Sequence, residues 1–273
     1  VPLRAFDDSA VVDDVVFTTD AHTVKPLLFP GGDIGSLSVS GTVNDIAVMG
    51  ATPLAMSLAV VLEEGLEIDA LERVMKSVGK YSELANVPVV TGDTKVVESG
   101  ALDGMIVTTS AIGKRSQYLD NNLEVARDHR PVTSNWLTDD NIREGDVIIV
   151  TGTLGDHGVS LLSFREGYGF ETEVKSDVAP LNHLIEEVLK VGGAVSMKDP
   201  TRGGFANAIN EWSSKSGIGI VIEEADVPIS EPVQSACELL GLDPMSIGNE
   251  GKAIIGCVPG MAEEVLKAIR SHP

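Results

Sequence analysis

The spacing of apolar residues along this chain predicts short strands and amphipathic helices, and the runs repeatedly stop on an aspartate. Residues 15–19, β-branched but for Phe17, read as a strand that ends on Asp20. Residues 33–49 predict a helix with Ile34, Leu37, Gly41 and Val48 roughly on one face, stopped by Gly50 with Pro53 beyond. Residues 55–62 read as a buried strand ending on Glu63-Glu64. Ile68, Leu71, Val74, Met75, Val78 and Leu84 keep the spacing of an amphipathic helix, with Glu67, Glu72, Arg73, Lys76 and Lys80 outside. Pro88 ends that helix; a strand at 89–91 then delivers a turn, Gly92-Asp93-Thr94-Lys95, and 105–109 is another strand.

Residues 114–142 break the rhythm, being polar, holding Pro131 and clustering Arg127 and Arg130. They predict a charged surface linker or insertion at a domain junction. Beyond it come a strand at 147–151, the loop Gly152-Thr153-Leu154-Gly155-Asp156-His157-Gly158 and a helix to about Glu166. Helices at 181–190, 205–214 and 232–240 alternate with strands at 194–197, 218–222 and 253–258, and a last helix covers 261–269. Neither half is a run of uniform βαβ repeats, so the pattern predicts two domains with mixed sheets, 1–130 and 131–273.

A chain of 273 residues agrees with two domains. Its net charge of −21 argues against nucleic acid, where Lys and Arg must replace counterions, and against an anionic membrane surface. No apolar run is long enough to span a bilayer. Cys237 and Cys257 lack redox spacing and read as buried structural thiols, which points to the cytosol. Both ends read as trimmed: Val1 is not an initiator Met, and no strand closes the last helix.

Five sites set Asp beside Gly, Thr, Ser or Asn at the ends of apolar runs: Asp7-Asp8, Asp20, Asn44-Asp45, Asp93-Thr94 and Asp199-Pro200-Thr201. Acids aimed at one place cannot all stay ionised without a cation, and the economical partner is Mg²⁺ holding nucleotide phosphates. Asp45 is the sharpest case, since it interrupts an otherwise apolar helix and would cost several kcal/mol if unpaired. Asp7-Asp8 alone would be an ordinary turn, but the acid ending the next strand, Asp20, suggests that both face one site. Asp93 can hold metal or nucleotide, and Lys95 can neutralise phosphate. Asp199 to Gly204 opens a helix, either to receive an anion or simply to cap it through Asp199 or Thr201. The Gly152/Gly155/Gly158 loop has a phosphate-loop shape without its Lys, a weak signal; His157 in it is a base, a donor or a solvent-facing loop residue. Glu250 in Asn249-Glu250-Gly251-Lys252 is a proton acceptor or part of a strand-entry turn.

These motifs, with Pro30-Gly31-Gly32-Asp33-Ile34-Gly35, Gly41-Thr42-Val43-Asn44-Asp45, Val90-Thr91-Gly92-Asp93-Thr94-Lys95-Val96-Val97 and Cys237-Glu238-Leu239-Leu240-Gly241-Leu242-Asp243-Pro244, occur in one order over nearly the whole chain. In that combination the sequence resembles the HypE family of [NiFe]-hydrogenase maturation factors, in the aminoimidazole-ribonucleotide synthetase (PurM-like) superfamily. The resemblance implies a two-domain α+β fold of mixed β-sheets packed by helices, with N-terminal domains pairing in a homodimer. It implies ATP-dependent dehydration of a carbamoylated C-terminal Cys to a thiocyanate, the source of a cyanide ligand for the hydrogenase iron. A carbamoyltransferase and iron-cyanide assembly proteins are the implied partners.

By the same resemblance, Asp8, Asp20, Asp45 and Asp199 match the Mg²⁺ and nucleotide acids, with Asp7 and Asp93 adjacent; Asn44, Thr94 and Thr201 lie in the matching nucleotide motifs. Lys95 and Glu250 match positions around the modified thiol: Lys95 to polarise the carbamoyl oxygen and Glu250 to accept a proton, supported by His157. Two departures stand out. The family's Gly-rich N-terminal segment and its tail ending in Cys are not in this sequence, and 114–142 exceeds the expected linker. Other ATP-using members of the superfamily (selenophosphate synthetase, thiamine-phosphate kinase, aminoimidazole-ribonucleotide synthetase) would share the acids, and a non-catalytic scaffold would not bind Mg-ATP.

Overall fold

The computed structural model describes residues 1, 2, 5, 7–165 and 174–273. The first half carries β1 (Ala10–Val12), β2 (Val15–His22), the short pair β3 (Leu28–Phe29) and β4 (Gly32–Asp33), α1 (Ile34–Val48), β5 (Ala51–Glu63), α2 (Ile68–Ala85), β6 (Val89–Val97) and β7 (Met105–Arg115). Five of these strands form a sheet in the order β1-β2-β7-β5-β6. All pairings are antiparallel except β5 with β6, whose parallel register requires the crossover that α2 supplies.

Helix α1 begins in a capping box: the Asp33 carboxylate accepts from the Ser36 amide and Ser36 Oγ accepts from the Asp33 amide, both at 2.8 Å. It is buried all round, its Ser, Thr and Asn side chains included, as in a helix sunk between layers, and Asp45 is its one side chain that is not buried. Helix α2 is amphipathic and buries Val74, Val78 and Ala85. The two helices approach so closely that a Cβ on Gly35 would stand 2.4 Å from the Val74 carbonyl oxygen. Only a glycine fits there.

The second half holds α3 (Leu119–His129), β8 (Val147–Val150), α4 (Asp156–Arg165), α5 (Asn182–Val191), β9 (Ala194–Lys198), α6 (Gly204–Ser216), α7 (Glu231–Leu240), β10 (Ile254–Cys257) and α8 (Ala262–Ser271). An antiparallel sheet in the order β8-β10-β9 forms its centre. One hydrophobic cluster runs from Ile34 and Val43 of α1 to Ile185, Trp212 and Ile255, so the halves share a core. Sheets packed by helices, the five-stranded one mixed and the three-stranded one antiparallel, give the α+β architecture expected from the sequence.

Three local expectations are corrected. Gly92-Asp93-Thr94-Lys95 is not a turn: β6 runs straight through it, carried by Val and Thr, and all four residues are exposed. Gly92 is needed for close strand approach, since a Cβ there would lie 2.1 Å from the Leu58 carbonyl oxygen across the β5–β6 ladder. Residues 114–142 are not a surface linker, because α3 buries Leu119, Leu123 and Ala126. Its buried Asn122 accepts from the Ala194 amide at 3.0 Å and donates to the Ala194 carbonyl at 2.8 Å. One polar residue thereby satisfies the backbone at the start of β9, which composition could not reveal. Residues 218–222 form no strand; they run alongside a cavity with Val221 almost fully exposed. The expected end of the helix after the glycine loop, Glu166, lies outside the described residues.

Candidate functional site: an acid-walled cleft between the halves

Alternation along β2 puts Thr18, Asp20 and His22 on one face, toward α1, and the helical repeat brings Gly41, Thr42 and Asp45 opposite them. The second half adds Asp199, Thr201 and Arg202 from the loop after β9, Glu250 from the approach to β10, and His157 from the first turn of α4. Together Asp20, His22, Gly41, Asp45, His157, Asp199, Thr201, Arg202 and Glu250 line a cleft of about 640 Å³. Gly41 keeps its floor open: a Cβ there would meet His22 Cε1 at 3.5 Å and Glu250 Oε2 at 4.0 Å.

The acids are held by specific donors. Thr18 Oγ1 donates to Asp45 Oδ2 at 2.8 Å, and Thr42 Oγ1 to Asp20 Oδ2 at 2.9 Å. Asp8 sits just behind the cleft, in a 190 Å³ recess that shares Asp199, Thr201 and Arg202 with it. There Lys198 Nζ lies 2.7 Å from Asp8, 3.0 Å from Glu211 and 3.4 Å from Asp139. Asp7 points away from the cleft and accepts from the Asp139 amide at 3.1 Å.

Burial pushes the carboxyl of Asp45 well above the usual range, and Asp199, Asp20 and Asp8 push it further. Glu250 is raised in the same way, by burial and then by Asp199, Asp177 and Asp20, with Arg202 opposing. Asp8 is raised by burial against the pull of Lys198. Asp199 is pushed up to about 6, mainly by burial, with Lys198 opposing and Asp20 adding. Without a bound cation this site repels itself.

The sign of the resulting pH dependence follows. A folded-state pKa raised above the unfolded value makes ionised Asp199 destabilising above pH about 6, by roughly 3 kcal/mol, and this penalty fades as pH falls through that value. Ligand-free protein should therefore gain stability between pH 7 and 5, measurable by thermal melts across that window.

Among the described residues no three acidic, His or Cys side chains close into a ready metal cage. Asp20, Asp45 and Asp199 present carboxylate oxygens to the cleft, the hard donors a Mg²⁺ ion takes, while Asp8 stands behind it paired with Lys198.

Other expected site residues fall elsewhere. The Asn44 amide is spent inside the protein, accepting from the Leu181 amide at 2.7 Å and donating to the Ala179 carbonyl at 3.1 Å. Asp93, Thr94 and Lys95 stand exposed on the edge strand β6 and do not line the cleft. His157 is buried rather than solvent-facing; its Nδ1 lies 2.8 Å from Ser176 Oγ and its ring packs edge-on to Phe29. Helix α6 is capped by Gly203, without any side-chain cap from Asp199 or Thr201. Sequence reasoning missed Thr18, His22, Thr42, Lys198 and Arg202, although Thr18-x-Asp20-x-His22 carries the period-two signal of one strand face.

Sequence models of the AIR synthase-related protein match residues 6–114 for the N-terminal domain and 143–273 for the C-terminal domain. A carbamoyl dehydratase HypE of Cupriavidus necator is 46% identical over 95% of this chain and 70% of its own length. Among solved structures, a HypE–HypF complex superposes with a TM-score of 0.90 at 41% identity, covering 99% of this chain and 84% of the other. HypE in complex with ATP gives 0.87 at 41% identity, covering 97% and 74%. With both AIR synthase-related domains in order, and a relative this similar spanning nearly the whole chain, the protein belongs to the HypE family of the PurM-like superfamily.

Proposed function

We propose that this protein is an ATP-dependent carbamoyl dehydratase that converts a carbamoylated C-terminal Cys to a thiocyanate for [NiFe]-hydrogenase iron-centre assembly. The observation that carries this reading is the convergence of Asp20, Asp45, Asp199 and Glu250 on one cleft, in a family with carbamoyl dehydratase and ATP-complexed members. Bound Mg²⁺, held by one or two of Asp8, Asp20, Asp45 and Asp199, would neutralise the phosphates of ATP in this acidic wall.

The chemistry needs a better leaving group than amide oxygen. That oxygen attacks the γ-phosphorus, ADP departs, and the oxygen then leaves as phosphate while the C≡N bond forms and the nitrogen gives up both protons. Glu250, His157 and Arg202 line the cleft; the first two would take up those protons, and the guanidinium would meet phosphate. Neither thiol within this chain is the acceptor of the carbamoyl group. Cys257 is fully buried and its thiol is pushed up to about 12, chiefly by burial, while Cys237 lies on the buried face of α7.

Pairing of the N-terminal domains explains β6. The sheet face turned away from α1 exposes Val15, Phe17 and Ile112, with Phe17 and Ile112 directly opposite on β2 and β7, and the edge strand exposes Val90 and Val96. Apolar surface of this kind is what a subunit interface covers. A second copy seated there would bring Asp93, Thr94 and Lys95 to a composite site, with Lys95 at the carbamoyl oxygen. A carbamoyltransferase and iron-cyanide assembly proteins then act before and after this step, in a cytoplasmic pathway.

Lys95→Ala in the intact protein should leave Mg-ATP binding unchanged and slow water loss from the carbamoylated Cys by about 100-fold or more, read by mass spectrometry. Normal dehydration in that variant would remove Lys95 from the reaction. Absence of ATP-dependent water loss in the unmodified protein would overturn the function itself.

A further inference from the structure

Two hydrogen bonds in the cleft wall are reciprocal. Thr18 on β2 holds Asp45 on α1, and Thr42 on α1 holds Asp20 on β2. The second of these extends further. Thr42 and Thr109 are fully buried, their hydroxyl oxygens stand 2.5 Å apart, and Thr109 Oγ1 is 3.0 Å from His22 Nε2.

A hydroxyl has one proton to give, and this fixes the direction of the chain. A carboxylate oxygen accepts, so the Thr42 proton goes to Asp20 in a charge-assisted bond. The short contact between the hydroxyls must then use the Thr109 proton, whose other acceptor, the Ser38 carbonyl, is at the far limit of 3.5 Å. Thr109 is left with a lone pair for His22. The histidine therefore carries its hydrogen on Nε2.

We propose that His22, Thr109 and Thr42 form a one-way hydrogen-bond chain ending on Asp20, which locks one carboxylate oxygen, leaves the other for the cation, and fixes His22 as the Nε2–H tautomer. Thr42 and Thr109 are then positioning residues for Asp20. His22 Nδ1 becomes a neutral acceptor on the cleft wall, suited to a ligand N–H or O–H and unsuited to a phosphate oxygen. The cation half of this inference rests on the Mg-ATP reading; the tautomer half does not.

Two measurements on the intact protein test it. In the ligand-free state, two-bond ¹H–¹⁵N correlation spectra, with His22 assigned by its loss in His22→Gln, should show protonated Nε2 and unprotonated Nδ1. A protonated Nδ1 with bare Nε2 would overturn the chain direction. In the presence of a non-hydrolysable ATP analogue, Mn²⁺ affinity read by electron paramagnetic resonance should fall about 10–100-fold in Thr42→Val, as for other residues that orient metal ligands, and return in Thr42→Ser. Wild-type affinity in Thr42→Val would overturn the positioning role. If the unmodified protein binds no Mn²⁺-nucleotide, the Mg-ATP reading fails instead, and the spectra still decide the tautomer. They also decide it should Thr42→Val not fold.

Discussion

Asp45→Asn should weaken Mg-ATP binding by more than about 100-fold and, in the same protein, raise the melting temperature of the ligand-free state. The opposite signs come from one cause. Asp45 is the only side chain of α1 that is not buried, yet its carboxyl is enclosed and crowded by Asp199, Asp20 and Asp8. Its charge is therefore unfavourable to the empty fold and becomes favourable only when a cation arrives. Asparagine keeps the shape and can still accept from Thr18, so the helix and its hydrogen bond survive. A structural role for Asp45 would give the reverse pattern, with lower stability and unchanged nucleotide affinity. Calorimetry and thermal melts on one preparation separate the two.

Lys198→Met should destabilise the protein by about 3–5 kcal/mol, because it breaks a buried ion pair while leaving its acids in place. That lowers the melting temperature by roughly 10 °C for a chain of this size. The Lys198 ammonium is nearly enclosed between Asp8, Glu211 and Asp139. Burial alone would pull its pKa down, but the attraction of Asp8 and Asp139 more than offsets this, and the net shift is upward. Such a lysine contributes stability below its unfolded pKa, across the whole neutral range. Without it, Asp8 and Asp139 lose a counter-ion, and Lys215 remains against Asp139. The carboxyl of Asp8, already raised by burial and held down by Lys198, rises further, so the defect should be largest at neutral pH and shrink toward pH 5 as Asp8 takes up a proton. A pH-independent defect would point to lost packing instead.

The elements easiest to read in the sequence were those governed by local periodicity. Helix α2 keeps its apolar stripe, and Asp45 betrays itself by interrupting an apolar helix. What stayed hidden depends on partners distant in sequence. Gly92 looks like a turn residue until β5 is placed beside it, and Asn122 looks like linker polarity until β9 needs its amide. Lys198 precedes the aspartate motif in sequence, but its acids are Asp8, Asp139 and Glu211, from three other parts of the chain. Lys95 marks a different limit. Its residue type and motif suit phosphate chemistry, while its place on an exposed edge strand gains meaning only with a second copy.

A crystal structure of the protein with Mn²⁺ and a non-hydrolysable ATP analogue tests the central claim most directly. The anomalous signal of manganese should fall within bonding distance of Asp20 or Asp45, about 2–2.5 Å, with the phosphates between these acids and Arg202. Nucleotide bound elsewhere, such as in the apolar cavity between β8 and residues 218–222, with no metal at the acids, would contradict it.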